Sequence, residues 1–553
     1  MKTKPLLKKV KTKTFLKDYL SALGVENVES YISGGEYCYD ELKNCDIGVQ
    51  KIHRAINNIE QKFFILIDSD ADGQLSASMM VDFLFEMGVY KDNIIYYQHT
   101  AKQHGLRETD EKIVDKIIES GANFCIIPDA GSNDIDECKY LKDNGVQVLI
   151  LDHHPIEQDN PYAIVINVFN GEYSNKSLSG TGVVHKFIKQ YCDYFNYVTP
   201  EYRDIVAVSI ISDVCDLRSL ENRIYVQEGF EILSKGEGNP FLYEMSKKLN
   251  KKGNVPIGLS FGIIPPINAL CRGENYEDKY TFFEALSGLS DDIDNGIKVA
   301  RRAHTIQRST VEKIDKAVRP TLNLEHKGIV EFVDAEYKNY VGLVANRISS
   351  AYNKPTVLLR EKVSNNYYSG SVRSPIDIAT TINQTGIALC QGHERACGIE
   401  IAKDRVDEFR EWLDNLSIDE PDTIIAAEIK PEDITLGLCR VCENNKMLWG
   451  SSISAGVCEP VFRVKCDFRL EQIVICGKNK DCVRLINDKV DFWKFKCDQD
   501  TLQMFNDYDC AGYTVDMLVK LGVNEWNDTV NPKAVIEEWE ITPFELINWE
   551  DEF

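Results

Sequence analysis

At 553 residues the chain is too long for one hydrophobic core, so three or four domains are expected, and a hydrophobic fraction of 43% with 10% aromatics excludes a disordered protein. No apolar stretch approaches the roughly 20 residues that cross a bilayer, which excludes a membrane-spanning helix. A formal net charge of −24 argues against a basic coat that grips nucleic acid everywhere, but leaves room for a local basic groove.

Residues 1–60 read as a polar helical segment. Its first 17 residues are Lys-rich and lack an apolar run of signal-peptide length, so they read as a solvated arm or the start of a helix. From 61 to 235, apolar runs suited to strands covered on both faces alternate with helical patterns. Strands are expected at 63–67, 94–97, 124–127 and 148–151, and helices at 75–86, 111–119 and 136–142. This alternation predicts an α/β, doubly wound parallel sheet. Residues 236–325 form a helical connector that ends in one long polar helix, 297–318, able to join two lobes. A second α/β domain follows at 326–420, with strands 329–333 and 356–359 around a helix at 342–352. Short strands at near-regular spacing over 421–505 suggest a small β-barrel, and 506–553 reads as an acidic, aromatic C-terminal segment.

Seventeen cysteines follow no repeating spacing. Several, such as Cys125, Cys192, Cys390 and Cys476, sit inside apolar runs, which suits reduced core thiols in a reducing, hence cytoplasmic, compartment. Cys439 and Cys442 form the one close CxxC pair, and a zinc knuckle would want a second.

Three acid-rich stretches carry the chemistry: Asp68-Ser69-Asp70-Ala71-Asp72-Gly73, Pro128-Asp129 and Asp152-His153-His154. Each follows one of the apolar strands, and ligands in parallel sheets collect at the carboxyl ends of strands. Asp213, after the apolar segment 205–211, is a further candidate. So many like charges converge only around something positive, and two divalent cations are the expected partners. Carboxylate oxygens mixed with imidazole nitrogens suit Mn²⁺ better than Ca²⁺, with Mg²⁺ as the alternative. A pair of such ions would stabilise attacking and leaving oxygens in phosphodiester hydrolysis. Taken alone, Asp129 is equally well read as a turn former or helix cap.

This series of motifs resembles the DHH phosphoesterase superfamily. Further segments resemble its RecJ-type nucleases over about residues 60–400: His104-Gly105-Leu106 (Gly-Tyr-Gly-Leu there), Leu178 to Val183, Pro265 to Arg272, Ser369 to Ser374, and Gly392-His393 through Gly398. The resemblance implies a DHH catalytic domain at 61–235, a DHHA1 substrate-binding domain at 326–420 and an OB-like domain at 421–505. It implies Asp70, Asp72, Asp129, His153 and Asp213 as metal ligands, with Asp129 as the bridge. Asp68, Asp152 and His154 complete the catalytic set. Departures from the pattern are Ser69 for an aromatic, Cys271 for a glycine and Gln391 for a glycine.

The implied activity is a 5′→3′ exonuclease on single-stranded DNA, serving recombination, repair or replication. Its partners would be single-stranded DNA and possible contacts such as single-strand-binding protein, a helicase or other replication and repair proteins, with no membrane. The alternatives are a DHH phosphodiesterase acting on short RNA or cyclic dinucleotides, and a non-catalytic DHH-fold scaffold. Arg373 and Ser371, in a Gly/Ser-rich loop, suit phosphate binding, as do Gly392 and His393; Arg373 is also readable as a surface ion pair and His393 as a core residue. Asn268 and Arg272 either reach the substrate or pack helices. Trp449, Phe462, Phe468 and Arg463 either stack on bases or belong to the core. The Trp539-to-Phe553 stretch either recruits a partner, mimics a nucleic-acid strand, or packs on the barrel.

Overall fold

The computed structural model describes residues 1–34, 41–99, 103–107, 112–361, 366–416, 422–450, 455–505, 510–526 and 529–544. Strands β1 (Phe63–Ile67), β2 (Ile94–Gln98), β3 (Phe124–Pro128), β4 (Gln147–Asp152) and β5 (Ile164–Asn167) form an all-parallel sheet in the order β2-β1-β3-β4-β5. Every residue of β1 is buried because successive side chains feed opposite layers. Phe63, Ile65 and Ile67 enter one core, and Phe64 and Leu66 enter the other. β5 is not among the strands expected from the sequence, since four residues after a proline-containing turn give too short a run to stand out. The strand order reverses direction between β1 and β3. Their carboxyl ends therefore flank a crevice, the usual ligand position in an open parallel sheet.

Helix α1 (Ala71–Glu86) leaves β1, and α2 (Gly180–Phe195) and α3 (Arg203–Ser212) pack beside it. Helix α4 (Ile264–Arg272) belongs to the connector, which ends in α5 (Ile293–Val318), a helix of 26 residues and about 39 Å. Ile297, Val299 and Ala300 of α5 lie in the large core that includes the first sheet, and Ile314 and Val318 lie in the core of the second lobe. One helix is thus anchored at both ends in different cores and joins the two lobes.

The second lobe contains β6 (Ile329–Phe332), β7 (Thr356–Glu361), β8 (Tyr367–Arg373), β9 (Ala388–His393) and β10 (Ala396–Ala402), ordered β9-β10-β8-β7-β6. Only β6 and β7 pair in parallel.

The C-terminal quarter differs from the sequence expectation. Its sheet has seven strands: β11 (Ala427–Glu428), β12 (Val461–Arg469), β13 (Ile473–Cys476), β14 (Cys482–Leu485), β15 (Asp491–Phe495), β16 (Gly512–Trp526) and β17 (Thr529–Phe544). The order β11-β12-β16-β17-β15-β14-β13 is linear, and its outer strands do not pair with each other, so no barrel closes among the described residues. The expected boundary at 505/506 does not separate structural units, because β16 and β17 occupy the middle of this sheet. The alternation of Tyr513, Val515, Met517, Val519 and Leu521, all buried, drives β16 there despite Thr514, Asp516 and Lys520 between them. Trp539 lies in β17 against Phe505, and the tip 545–553 lies outside the described residues.

Trp449, Phe462 and Phe468 are core residues, and Arg463 is engaged by both carboxylate oxygens of Asp516, so this group does not form a base-stacking face. The Lys-rich start is not wholly a solvated arm. Thr3–Pro5 pairs in parallel with Thr423–Ile425, and Phe15 packs on Phe462 at 5.5 Å between centroids.

Because Met517 is fully buried in a central strand, Met517→Ala should cost about 2–5 kcal/mol and lower the melting temperature in calorimetry. An unchanged transition would mean that β16 is not part of this core.

Candidate metal centre

Helix starts and tight turns at the carboxyl edge of the first sheet place the acidic groups. Asp70 caps α1, accepting a hydrogen bond from the Gly73 amide at 3.0 Å. Gly73 is required there, since a Cβ would come within 2.5 Å of the Asp68 Cβ. Asp72 is fixed by the start of α2: it accepts from the amides of Gly180 (2.8 Å) and Thr181 (3.0 Å), and from the hydroxyls of Thr181 and Ser209. Ser179 caps α2, so the Leu178-to-Val183 segment is a helix N-terminus aimed at the cluster, and its dipole favours negative charge. Gly180 allows the approach, as a Cβ would lie 2.2 Å from Asp129 Oδ1.

Asp129 follows β3 with a left-handed backbone, φ 65°, and Val214, next to Asp213, has φ 54°. For an aspartate this conformation is tolerable, but for a β-branched valine it is strained, by about 1–3 kcal/mol. The strain sits where Asp213 leaves α3 and turns to the crevice.

His153 shows what the cluster surrounds. Its Nδ1 lies 3.0 Å from the Leu178 carbonyl oxygen, which can only accept, so Nδ1 carries the proton of the neutral ring. Nε2 is left with a lone pair. It faces Asp129 Oδ1 at 3.2 Å, Asp72 Oδ2 at 3.9 Å and Asp213 Oδ2 at 3.9 Å. Asp129 Oδ1 is buried without a hydrogen-bond partner. A lone pair aimed at three carboxylate oxygens is repulsive unless a cation or a proton lies between them. The backbone carbonyl on the opposite ring nitrogen is the arrangement that orients a metal-binding imidazole.

The electrostatics show how strongly the cluster attracts positive charge, whether proton or cation. Burial, then the fields of Asp72, Asp70, Asp68 and Asp213, push the Asp129 carboxyl well above the usual range. Asp213 is pushed up to about 6, first by burial and then by Asp72 and Asp70, against the opposing field of His153. Its side chain is still 39% exposed at the mouth, so the rise of the fully enclosed Asp129 is the firmer of the two. Burial alone would lower His153; Asp213 and Asp72 reverse that.

Asp152 has a different task. Its Oδ1 accepts from the amides of His153 (2.7 Å) and His154 (3.1 Å) and lies 2.8 Å from His154 Nδ1, while Oδ2 accepts from the Ser132 amide. Burial opposes ionisation, but the hydrogen bond from His154 and the two imidazoles outweigh it and hold the carboxyl below the usual range. Asp152 therefore orients the histidine pair. Ligand atoms of Asp129, His153 and His154 converge, as do those of Asp72, His153 and Asp213, each set within 4.8 Å. Asp68, Asp70 and His104 make a separate set within the same limit. His104 is marked in the sequence only through its neighbours' resemblance; nothing in its spacing identifies it as a ligand. Together these oxygens and nitrogens are donors that could hold divalent cations.

The expected phosphate-binding residues lie on the connector and the second lobe. Arg373 ends β8 and donates to the Ser371 hydroxyl and the Val372 carbonyl, both at 2.7 Å. Arg272, on α4, donates to the Asn268 carbonyl at 3.4 Å. Burial pushes both guanidinium groups down; the charge of Arg272 lowers Arg373 further, and Asp70 opposes the fall at Arg272. Neither arginine has a carboxylate within ion-pair distance among the described residues. Gly392 has φ 127° in the β9–β10 hairpin, a backbone open to glycine. The side chain of His393 lies outside the described residues.

Residues 62–210 match the family model described as DHH family, N-terminal domain. Over 545 residues the chain is 27% identical to a Bacillus subtilis (strain 168) protein provisionally named SPbeta prophage-derived single-strand DNA-specific exonuclease, covering 91% of each. It is 25% identical over 551 residues to the single-stranded-DNA-specific exonuclease RecJ of the same organism, covering 92% of this chain and 66% of that one. The fold matches the crystal structure of RecJ in complex with Mn²⁺ from Thermus thermophilus with a TM-score of 0.74 at 19% identity, covering 99% of this chain and 80% of that one.

Raised carboxyl pKa values make the metal-free protein most stable where those groups are protonated. That contribution is complete below about pH 4 and is lost as pH rises through about 6, the value to which its surroundings push Asp213. Metal-free protein should therefore melt several degrees lower at pH 7.5 than at pH 5. Added Mn²⁺ should raise the melting temperature more at pH 7.5, where no proton competes. Equal melting temperatures with and without Mn²⁺ at pH 7.5 would contradict the site.

Proposed function

We infer that this chain, whose residues 62–210 form a DHH-family N-terminal domain, is a metal-dependent exonuclease of the RecJ type that hydrolyses phosphodiester bonds in single-stranded DNA. The observation that carries the reading is the convergence of His153 Nε2 with carboxylate oxygens of Asp72, Asp129 and Asp213. Similarity to the prophage relative covers 91% of the chain and so extends well beyond the catalytic lobe, which favours a long strand over a dinucleotide as substrate.

Asp72, Asp129, His153 and Asp213 would hold one divalent ion. Asp70 would contribute to a second, with Asp129 as the candidate bridge. The mixed oxygen and nitrogen donors favour Mn²⁺. When bound, such ions supply Lewis-acid charge and lower the pKa of water. The chain's own residues do the rest. Asp152 locks the two histidines, and the α2 N-terminus and Ser209 fix Asp72, so the donors need little reorganisation during reaction. Arg373, oriented by Ser371, and Arg272 are the cations without carboxylate partners that would grip phosphates across the cleft from the acidic edge. Asn268, Gly392 and His393 would complete that grip. The cleft between lobes would admit one strand, and digestion would run from the 5′ end.

Asp129→Ala should reduce hydrolysis of a labelled single strand with Mn²⁺ by about 10³-fold or more while leaving the protein folded. Arg373→Ala should lower kcat/KM by about 10–100-fold, mainly through KM, as expected when one charge-assisted contact is removed. Digests of 5′- and 3′-labelled single strands beside duplex check both the substrate and the polarity. Wild-type activity in Asp129→Ala would overturn the assignment.

A further inference from the structure

We propose that His104 joins Asp68 and Asp70 as a cation position of its own at the mouth of the crevice, so that the second divalent ion is held by a histidine that the RecJ-type motif lacks. This rests on the nuclease reading and adds a ligand to it.

Three observations support the position. The ligand atoms of Asp68, Asp70 and His104 lie within 4.8 Å of one another, and this set shares no residue with the sets built on His153. Asp68 is 1% exposed, and its Oδ1 has no hydrogen-bond partner although Oδ2 lies 2.5 Å from His104 Nδ1. A buried carboxylate oxygen left unpaired is costly unless a bound group satisfies it. Two carboxylates and one imidazole supply the oxygen and nitrogen donors that suit Mn²⁺, and leave coordination positions for water and a phosphate oxygen.

The third observation links two departures from the motif series. Ser69 stands where an aromatic is usual, and His104 stands where the Gly-Tyr-Gly-Leu segment has its tyrosine. In the fold these two changes meet. The Ser69 hydroxyl donates to the Gln103 carbonyl at 2.6 Å and accepts from the Gln103 amide at 2.9 Å. The same short loop is held from the other side, where Asp134 accepts from the Leu106 amide at 2.7 Å. Gly105 turns between them at φ 66°, and a Cβ there would lie 2.2 Å from the Asp134 carboxylate. A serine in the first acidic motif thus clamps the loop that presents the histidine to the neighbouring aspartates. An aromatic at 69 has no hydroxyl to do this.

Calorimetric titration of the metal-free full chain with MnCl₂, beside electron paramagnetic resonance of the loaded form, tests the proposal. Wild type should take up two ions with a magnetically coupled signal. His104→Tyr, which restores the usual residue at a half-exposed position, should keep the first ion and bind the second at least tenfold more weakly, with the coupling lost. Ser69→Ala should weaken the second ion by a smaller factor and leave the first unchanged. If His104→Tyr binds both ions with wild-type affinity and coupling, this proposal fails while the nuclease reading stands. If wild type binds no ion, both fail.

Discussion

Mutual repulsion among ionised groups in an enclosed space governs this molecule. Asp68, Asp72 and Asp129 are almost fully buried at one sheet edge, with Asp70 and Asp213 beside them and His153 Nε2 in their midst. At a separation near 4 Å, like charges cost several kcal/mol per pair in a medium of intermediate dielectric constant. Protons relieve that cost in acid. At neutral pH, cations are what the same geometry is built to accept, and the surrounding fold is arranged to hold the charges together rather than to disperse them.

That arrangement has recognisable parts. The switch in strand order between β2-β1 and β3-β4-β5 opens the crevice. Helices α1 and α2 begin there, so two positive helix ends face the acids. Gly73 and Gly180 permit backbones to approach within the space a Cβ would fill. Left-handed backbone at Asp129 and Val214 turns the chain sharply at two acidic strand and helix ends. Across the cleft, α5 carries a lobe whose Arg373 lacks an acidic partner among the described residues.

Much of this was legible in the residues. The strands that end in Asp68, Asp129 and Asp152 are continuous apolar runs, and a buried parallel strand has no other signature. The acids follow them directly, so their convergence could be read without coordinates. The division of labour could not. Asp152 and Asp72 are identical side chains at similar positions, and only their partners distinguish the residue that orients histidines from the one that faces the cation. His104 belongs to a loop whose path depends on contacts with Ser69 and Asp134, far away in sequence. The C-terminal strands β16 and β17 were obscured by composition: charge on one face made a central strand look like a tail, although Val515, Met517 and Val519 kept the period of two. Trp449, Phe462 and Phe468 carry the same ambiguity in sequence, since an aromatic that stacks on a base and one that fills a core obey the same pattern.

Anomalous diffraction at the manganese edge, from crystals of the protein grown with MnCl₂ at pH 7.5, tests the central claim most directly. The account predicts a strong peak enclosed by Asp72, Asp129, His153 Nε2 and Asp213. A map with no anomalous density among these four groups, while they keep the positions described, would contradict it.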